Sequence, residues 1–317
     1  MASHFPHGWN NGVVIKGVPI EIPHSGKVFW VNNSGVNPAN GKTGVNRANA
    51  GTYLHPYSTV DFGITQCTAG RGDVVYVMPG HAETVTATSL SLDVAGVTVI
   101  NLGQADSRPT YTMAAATGTV NVSAANCAWV GGYFKSTILD CASAFTIAAG
   151  KGFTLDGAFF EDTTASLNYL SIVTTGATDN DADDLTVTNN VWYGLNTTPL
   201  AFVSILAAEL RPNISFNRCD LAATSGGEFI TLAAKVVLGA MIEGNIHNVV
   251  GATGTATGIF LTGSGTSVGV MRNNMVASLD TTGELIITAG TGLVQFENYY
   301  TGTADKSGKL WPLVDAA

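Results

Sequence analysis

Charge is the scarcest commodity in this chain. Asp, Glu, Lys and Arg make up 12% of its 317 residues, against 45% hydrophobic residues. A chain this apolar is not a disordered one. Lys and Arg number 14 against 23 Asp and Glu, a net charge of −9. That balance argues against sequence-independent nucleic-acid binding, which rests on basic side chains against phosphate. Cysteine is limited to Cys67, Cys127, Cys141 and Cys219, with no CxxC pair. Zinc-ribbon and thioredoxin-like readings therefore fail, and reduced core cysteines are expected. No metal cofactor or prosthetic group is called for. The longest apolar stretch lies near 200–210, far short of the ~20 residues of a membrane helix. The opening MASHFPHGWNNG has no basic start followed by an apolar core, so no secretory leader and no membrane partner are expected.

Glycine, by contrast, is plentiful: 37 residues without a G-X-Y period, well above the usual ~7%. Each Gly costs a helix about 1 kcal/mol, so short strands joined by many turns are expected. From residue 90 onward one pattern recurs: alternating apolar residues, then Asn or Gly, then a large apolar residue. It reads VTVINL (97–102), CAWVGGY (127–133), FTLDGAF (153–159), LTVTNNV (185–191), ISFNRC (214–219), AMIEGNI (240–246), GVMRNNM (269–275) and LVQFENY (293–299). Aligning the residue before the large apolar one gives Asn101, Gly132, Ala158, Asn190, Arg218, Asn245, Asn274 and Asn298, at steps of about 28 residues. A fixed period of this size marks a solenoid. Helical solenoids need amphipathic helices of 10–15 residues. Here the segments are short, rich in Val, Ile, Thr and aromatics, and broken by Gly and Asn, which is the strand pattern.

The Asn/Gly column suits a chain corner, because these residues best tolerate positive φ. Stacked Asn side chains can also hydrogen-bond from one coil to the next. The following column, Leu102, Tyr133, Phe159, Val191, Cys219, Ile246, Met275 and Tyr299, is apolar and is expected to point inward. Before the corner, alternation places Leu155, Val187 and Ile242 inside, and Asp156, Thr188 and Glu243 outside. Tyr57–Thr68 reads as a capping helix with Ser58 or Thr59 as N-cap, covering the open end of the solenoid. The first strand is expected at Asp73–Met78. Residues 1–56 read as an extended N-terminal arm, whose strand Val28–Val31 is expected to dock on a neighbouring subunit. Residues 57–303 form the solenoid with its cap, and 304–317 a C-terminal tail.

The segments GRGDVVYVMPGHAETVT (70–86) and LDVAGVTVINLGQADSRPTYTM (92–113) resemble the opening coils of the pectate-lyase-like parallel β-helix superfamily. The PGHAET and RPT variants are similar to a subgroup of tailed-bacteriophage virion proteins. The resemblance covers roughly 52–135 and is only pattern-level beyond. It implies an all-β, right-handed single-stranded parallel β-helix of about eight to ten coils. It also implies a virion location after assembly in the bacterial cytoplasm, a homotrimer, and major capsid or tail proteins as partners. Val99, Val130, Phe216 and Phe296 are expected to form one outward apolar column for packing copies together.

The polysaccharide-cleaving signatures of the superfamily are missing: no RxPxxR, and Val191-Trp192-Tyr193-Gly194 lacks the Asp-His of the lyases. Only Asp183-Asp184 matches the polygalacturonase segments. A non-enzymatic structural protein is therefore the expectation. The alternative is a receptor-binding tailspike that binds or depolymerises host polysaccharide, with Trp192, Tyr193, Tyr299 and Tyr300 stacking on sugars. Paired carboxylates would be needed for hydrolysis. Asp156 and Glu243 sit three coils apart, too far, whereas Glu161 and Asp162 form a candidate pair. Asp179, Asp181, Asp183 and Asp184 make the densest oxygen cluster and a candidate Ca²⁺ site, beside the plainer reading of an acidic solvated turn. Gly41-Lys42-Thr43, the Gly265–Gly269 GxSxG and Arg71-Gly72-Asp73 are read as motif accidents.

Overall fold

The computed structural model describes residues 26–34, 43–87, 89–223, 226–232, 236–249, 267–278 and 292–301, with the short strands 13–15, 18–20, 261–263 and 287–288. From Val74 onward the chain winds as a parallel β-solenoid. Each turn lays one strand on each of three parallel sheets, of ten, nine and eight strands. The first sheet runs from Val28–Val31 through Val74–Val77, Thr98–Asn101 and six more strands to Gly292–Phe296. The second runs from Ala82–Val85 to Tyr299–Thr301, and the third from Ser91–Leu92 to Ile287–Thr288.

Alternation decides which residues fill the interior. In the first sheet Val75, Val99, Trp129, Leu155, Val187, Ile214, Ile242 and Met271 stack in register and are buried. In the second sheet the inward column is Tyr111, Phe134, Phe160, Trp192, Cys219, His247 and Val276. Tyr111 stacks on Phe134 at 4.8 Å and Phe134 on Phe160 at 5.2 Å. Each such ring contributes about 1.5–3 kcal/mol by burial and about 0.5–1.5 kcal/mol by stacking. All four cysteines are free, three of them buried.

Leu155, Val187 and Ile242 point in, and Asp156, Thr188 and Glu243 point out, as alternation requires. The apolar column after the corner does not point in. Tyr133, Phe159, Val191, Arg218, Ile246, Met275 and Tyr299 pair as one column on the outer face, with Met275 and Tyr299 exposed. The corner consumes an extra residue, so the inward set starts one position later. Cys219 is buried, but in that later column, and Leu102 precedes a 3-10 turn at Ala105–Ser107 rather than joining either column.

The corner is built by two consecutive positions with separate roles. The first takes positive φ: Gly131 (72°), Gly157 (67°), Asn189 (57°), Phe216 (57°), Gly244 (66°), Asn273 (55°) and Glu297 (56°). The second, one residue on, holds Gly132, Ala158, Asn190, Asn217, Asn245, Asn274 and Asn298, and among these only Gly132 has positive φ. The ladder therefore runs Asn190–Asn217–Asn245–Asn274–Asn298, and Asn217 replaces Arg218 in it. Each Asn from 190 to 274 donates its backbone N–H and its Nδ2 to Oδ1 of the Asn one coil on, at 2.9–3.1 Å. The Nδ2 groups of these four and of Asn298 also donate to a carbonyl in the coil before: Leu155, Val187, Ile214, Ile242 and Met271 in turn. Asn101 lies apart from this ladder, with its Nδ2 on the Val130 carbonyl and its Oδ1 accepting from the Tyr111 hydroxyl.

The N-terminal end is closed from within the chain. Val28–Val31 pairs with Val74–Val77 of the same molecule, not with a neighbour. The capping helix is shorter than expected, Val60–Thr65, with Thr59 as N-cap. Asp73, the last residue of the RGD triplet, is fully buried. It accepts from the Lys27 and Thr68 amides and pairs with Arg71. The arm before residue 26 (save 13–15 and 18–20), the tail 304–317, Gly41-Lys42 and Gly265-Thr266 of the GxSxG stretch lie outside the described residues.

Candidate functional site

The outer face of the second sheet carries two columns of side chains. One is the largely apolar stripe from Tyr133 to Tyr299. The other is Lys135, Glu161, Tyr193, Asp220 and Asn248. The rings of Tyr133 and Phe159 lie 5.5 Å apart, and those of Phe159 and Tyr193 5.3 Å apart. The Arg108 guanidinium sits 5.3 Å over Phe159, a cation–π contact. Tyr193 and Tyr299 are exposed, whereas Trp192 is wholly buried and unavailable to a ligand. The side chain of Tyr300 is outside the described residues.

The carboxylates on this face are already engaged. Glu161 accepts from the Tyr133 hydroxyl, which burial and then Glu161 push up to about 12. Asp220 accepts from Arg218 Nε at 2.7 Å and Asn248 Nδ2 at 2.6 Å. Glu161 and Asp220 stand two strands apart, with Tyr193 between them, roughly 9.6 Å at the backbone. Glu161 and Asp162 do not form a pair, because neighbours on a strand face opposite ways. Asp162 is buried and accepts from the amides of Tyr169, Leu195 and Asn196. Burial pushes its carboxyl up to about 6. Asp156 is held by Asn189 Nδ2, and Glu243 by Arg272.

The acidic loop does not gather its oxygens. Asp179 accepts from the Ala208 amide. The buried Asp183 accepts from the Leu210 amide and Lys151 Nζ, and Asp184 forms a two-bond pair with Arg211 at 2.6 and 2.8 Å. Asp181 is half-buried. No group of three or more metal-ligating residues occurs among the described residues. The carboxylates instead staple this loop to the next coil. Glu209, which the sequence reading passed over, belongs to the same junction. It is buried, with Oε2 accepting from the Ala182 amide and Oε1 unpartnered. Burial, reinforced by Asp183, Asp181 and Asp179, pushes its carboxyl up to about 7.

The four residues expected to make one apolar contact column are dispersed. Val99 is in the core, paired with Val75 and Trp129. Val130 and Phe296 share an outward column, but Asp156, Thr188, Ser215, Glu243 and Arg272 separate them. Phe216 is exposed at the corner itself. Val99 is inside because the strand alternates from Thr98, which faces out. An apolar stripe interrupted by Arg218 lies on the outer face of the second sheet instead. Among the described residues no helix is long and apolar enough to cross a membrane. No family model, curated protein or solved structure matches this chain.

Proposed function

We propose that the chain is a non-enzymatic structural protein of a tailed-phage virion, a capsid decoration protein or a head or tail fibre, which packs side by side with copies of itself as a trimer. The phage assignment rests on the resemblance of residues 70–113. The packing rests on one observation: the stripe Tyr133, Phe159, Val191, Ile246, Met275 and Tyr299 along the outside of a single sheet, broken only by Arg218. Prisms with one apolar side assemble about an axis by burying that side. Light scattering with Ile246→Asp and Met275→Asp together tests it. A trimer for the unaltered chain and a monomer for the variant support the reading. An unaltered chain that is monomeric, or a variant of unchanged mass, contradicts it.

A second reading has its own observation. Tyr193 is exposed and sits between Glu161 and Asp220, the setting of a sugar-stacking ring beside two acids. This reading makes the chain a receptor-binding tailspike. Incubation with capsular or O-antigen polysaccharides separates the two. Reducing ends or unsaturated products support the tailspike, and unchanged polymer supports the structural protein.

A further inference from the structure

A two-fold axis sets a surface patch against its own copy, but a three-fold axis sets it against a different patch. A trimer built on the second-sheet stripe therefore needs a second apolar surface on each chain. The first sheet carries one on Leu238–Glu243, Val268–Arg272 and Gly292–Phe296. Met241, Val270 and Val294 stand in one outward column, with Leu238 and Val268 paired beside them. All but Val270 are exposed, Val294 by 58%. In the coils before, the Met241 column reads Thr154, Thr186 and Asn213, so the patch is local. In the same coils as the patch, the stripe presents Ile246, Met275 and Tyr299. Only the asparagine corner separates the two surfaces. On that edge Phe216 is exposed at a φ of 57°, a conformation that bulky side chains rarely take. The third sheet, by contrast, has a polar outward column of Asn121, Thr146, Thr174, Ser204 and Thr231.

We propose that the asparagine corner faces the three-fold axis, and that the first-sheet patch of each copy receives the second-sheet stripe of the next. This joint rests on the trimer reading above and supplies the surface that such a trimer requires. Charge agrees with a second copy as the occupant. Arg218, the one break in the stripe, gives Nε to Asp220, and Glu243 on the first sheet gives Oε2 to Arg272. No other described residue takes the Nη groups of Arg218 or Oε1 of Glu243. Rotation about an axis along the rod keeps each coil at its own height. Arg218 of one copy then stands one rung, roughly 4.8 Å, from the level of Glu243 in the next, and each offers what the other lacks. Phe216 lies on the edge nearest the axis, so the rings of three copies gather there. Burial in the assembly is what an aromatic ring left in water by the single chain gains.

Peroxide oxidation of the full chain, read by mass spectrometry beside light scattering, tests the joint. Met241 and Met275 are 38% and 41% exposed in the single chain, one on each surface. In the trimer both should oxidise at least tenfold more slowly than methionine in a short unfolded peptide. A trimer in which Met275 is protected and Met241 reacts at the peptide rate overturns the joint and leaves the trimer reading standing. Met275 reacting at that rate, or a monomeric chain, overturns both. Variants give a second arm. Met241→Asp with Val294→Asp removes the first-sheet patch, and Ile246→Asp with Met275→Asp removes the stripe. Each variant alone should be monomeric, and the two mixed should form a dimer, because one intact joint remains between them. A trimer of the first variant, or no dimer from the two folded variants, overturns the joint. Should either variant not fold, the methionine rates of the unaltered chain decide alone.

Discussion

Asn245 shows why this corner is occupied by asparagine in five consecutive coils. Its Oδ1 accepts both the backbone N–H and the Nδ2 of Asn217, while its own Nδ2 reaches the Ile214 carbonyl and Asn274 Oδ1. A carboxylate lacks the donor, and a smaller side chain lacks both functions. Asn245→Ala leaves two buried donors of Asn217 without an acceptor, each worth about 1–3 kcal/mol. We expect a loss of about 2–4 kcal/mol in urea unfolding, with no change in the wound fold. His247 makes the opposite case. It occupies an apolar column between Cys219 and Val276, and neither ring nitrogen makes a hydrogen bond of ordinary geometry. Burial pushes it down to about 4 from 6.5, against small opposing effects of the Gly227 backbone and Asp220. The unfolded chain thus takes up a proton first, so stability is whole above pH 6.5 and is lost as pH falls toward 4. His247→Leu should raise stability at pH 7. It should also remove an acid-side loss of about 3 kcal/mol, read from unfolding midpoints between pH 7 and pH 4.

At the scale of the corner and its flanking strands, the two-position rule explains what the sequence made legible and what it hid. The period could be read because strand, corner and strand recur with side chains whose alternation is clear. The inward face before the corner followed from the same alternation. The register after the corner could not be read, since nothing in the letters says that the positive-φ residue and the ladder residue are different positions. In ISFNRC the apolar Phe216 occupies the positive-φ position and Arg218 the outer stripe, so matching residue types shifted the ladder onto Arg218. Glu209 carries no pattern at all. Its role comes from a chain segment 27 residues away. Gly244 tests the corner as a unit. Its φ is 66°, and a Cβ placed there would lie 2.6 Å from Phe216 Cδ1. Gly244→Ala should cost about 1–2 kcal/mol in thermal or urea unfolding. In a Phe216→Ala background the cost should shrink toward about 1 kcal/mol, because the ring clash is gone and the backbone cost remains.

As a whole molecule the solenoid is a one-dimensional stack in which each coil touches its neighbours. The acidic loop and Glu209 tie adjacent coils at one corner as the ladder does at another. Glu209 gives the rod an alkaline weakness to set against the acid weakness of His247. Its carboxyl is pushed up to about 7 from 4.5, so the folded chain holds a proton that the unfolded chain has released. The stability this confers is complete below pH 4.5 and is lost as pH rises through 7. Glu209→Gln keeps an acceptor for the Ala182 amide without the charge. It should leave stability at pH 4 unchanged and raise it at pH 8, in denaturant midpoints taken at both pH values.

Everything proposed for this rod presumes coils stacked in register through their buried asparagines. Side-chain amide exchange, followed by NMR, reads that stacking directly. The Nδ2 protons of Asn190, Asn217, Asn245 and Asn274 should resist exchange by at least a hundredfold relative to those of exposed Asn273, whose neighbour Asn274 lies inside the ladder. Exchange of the ladder amides at the rate of Asn273 would contradict the account.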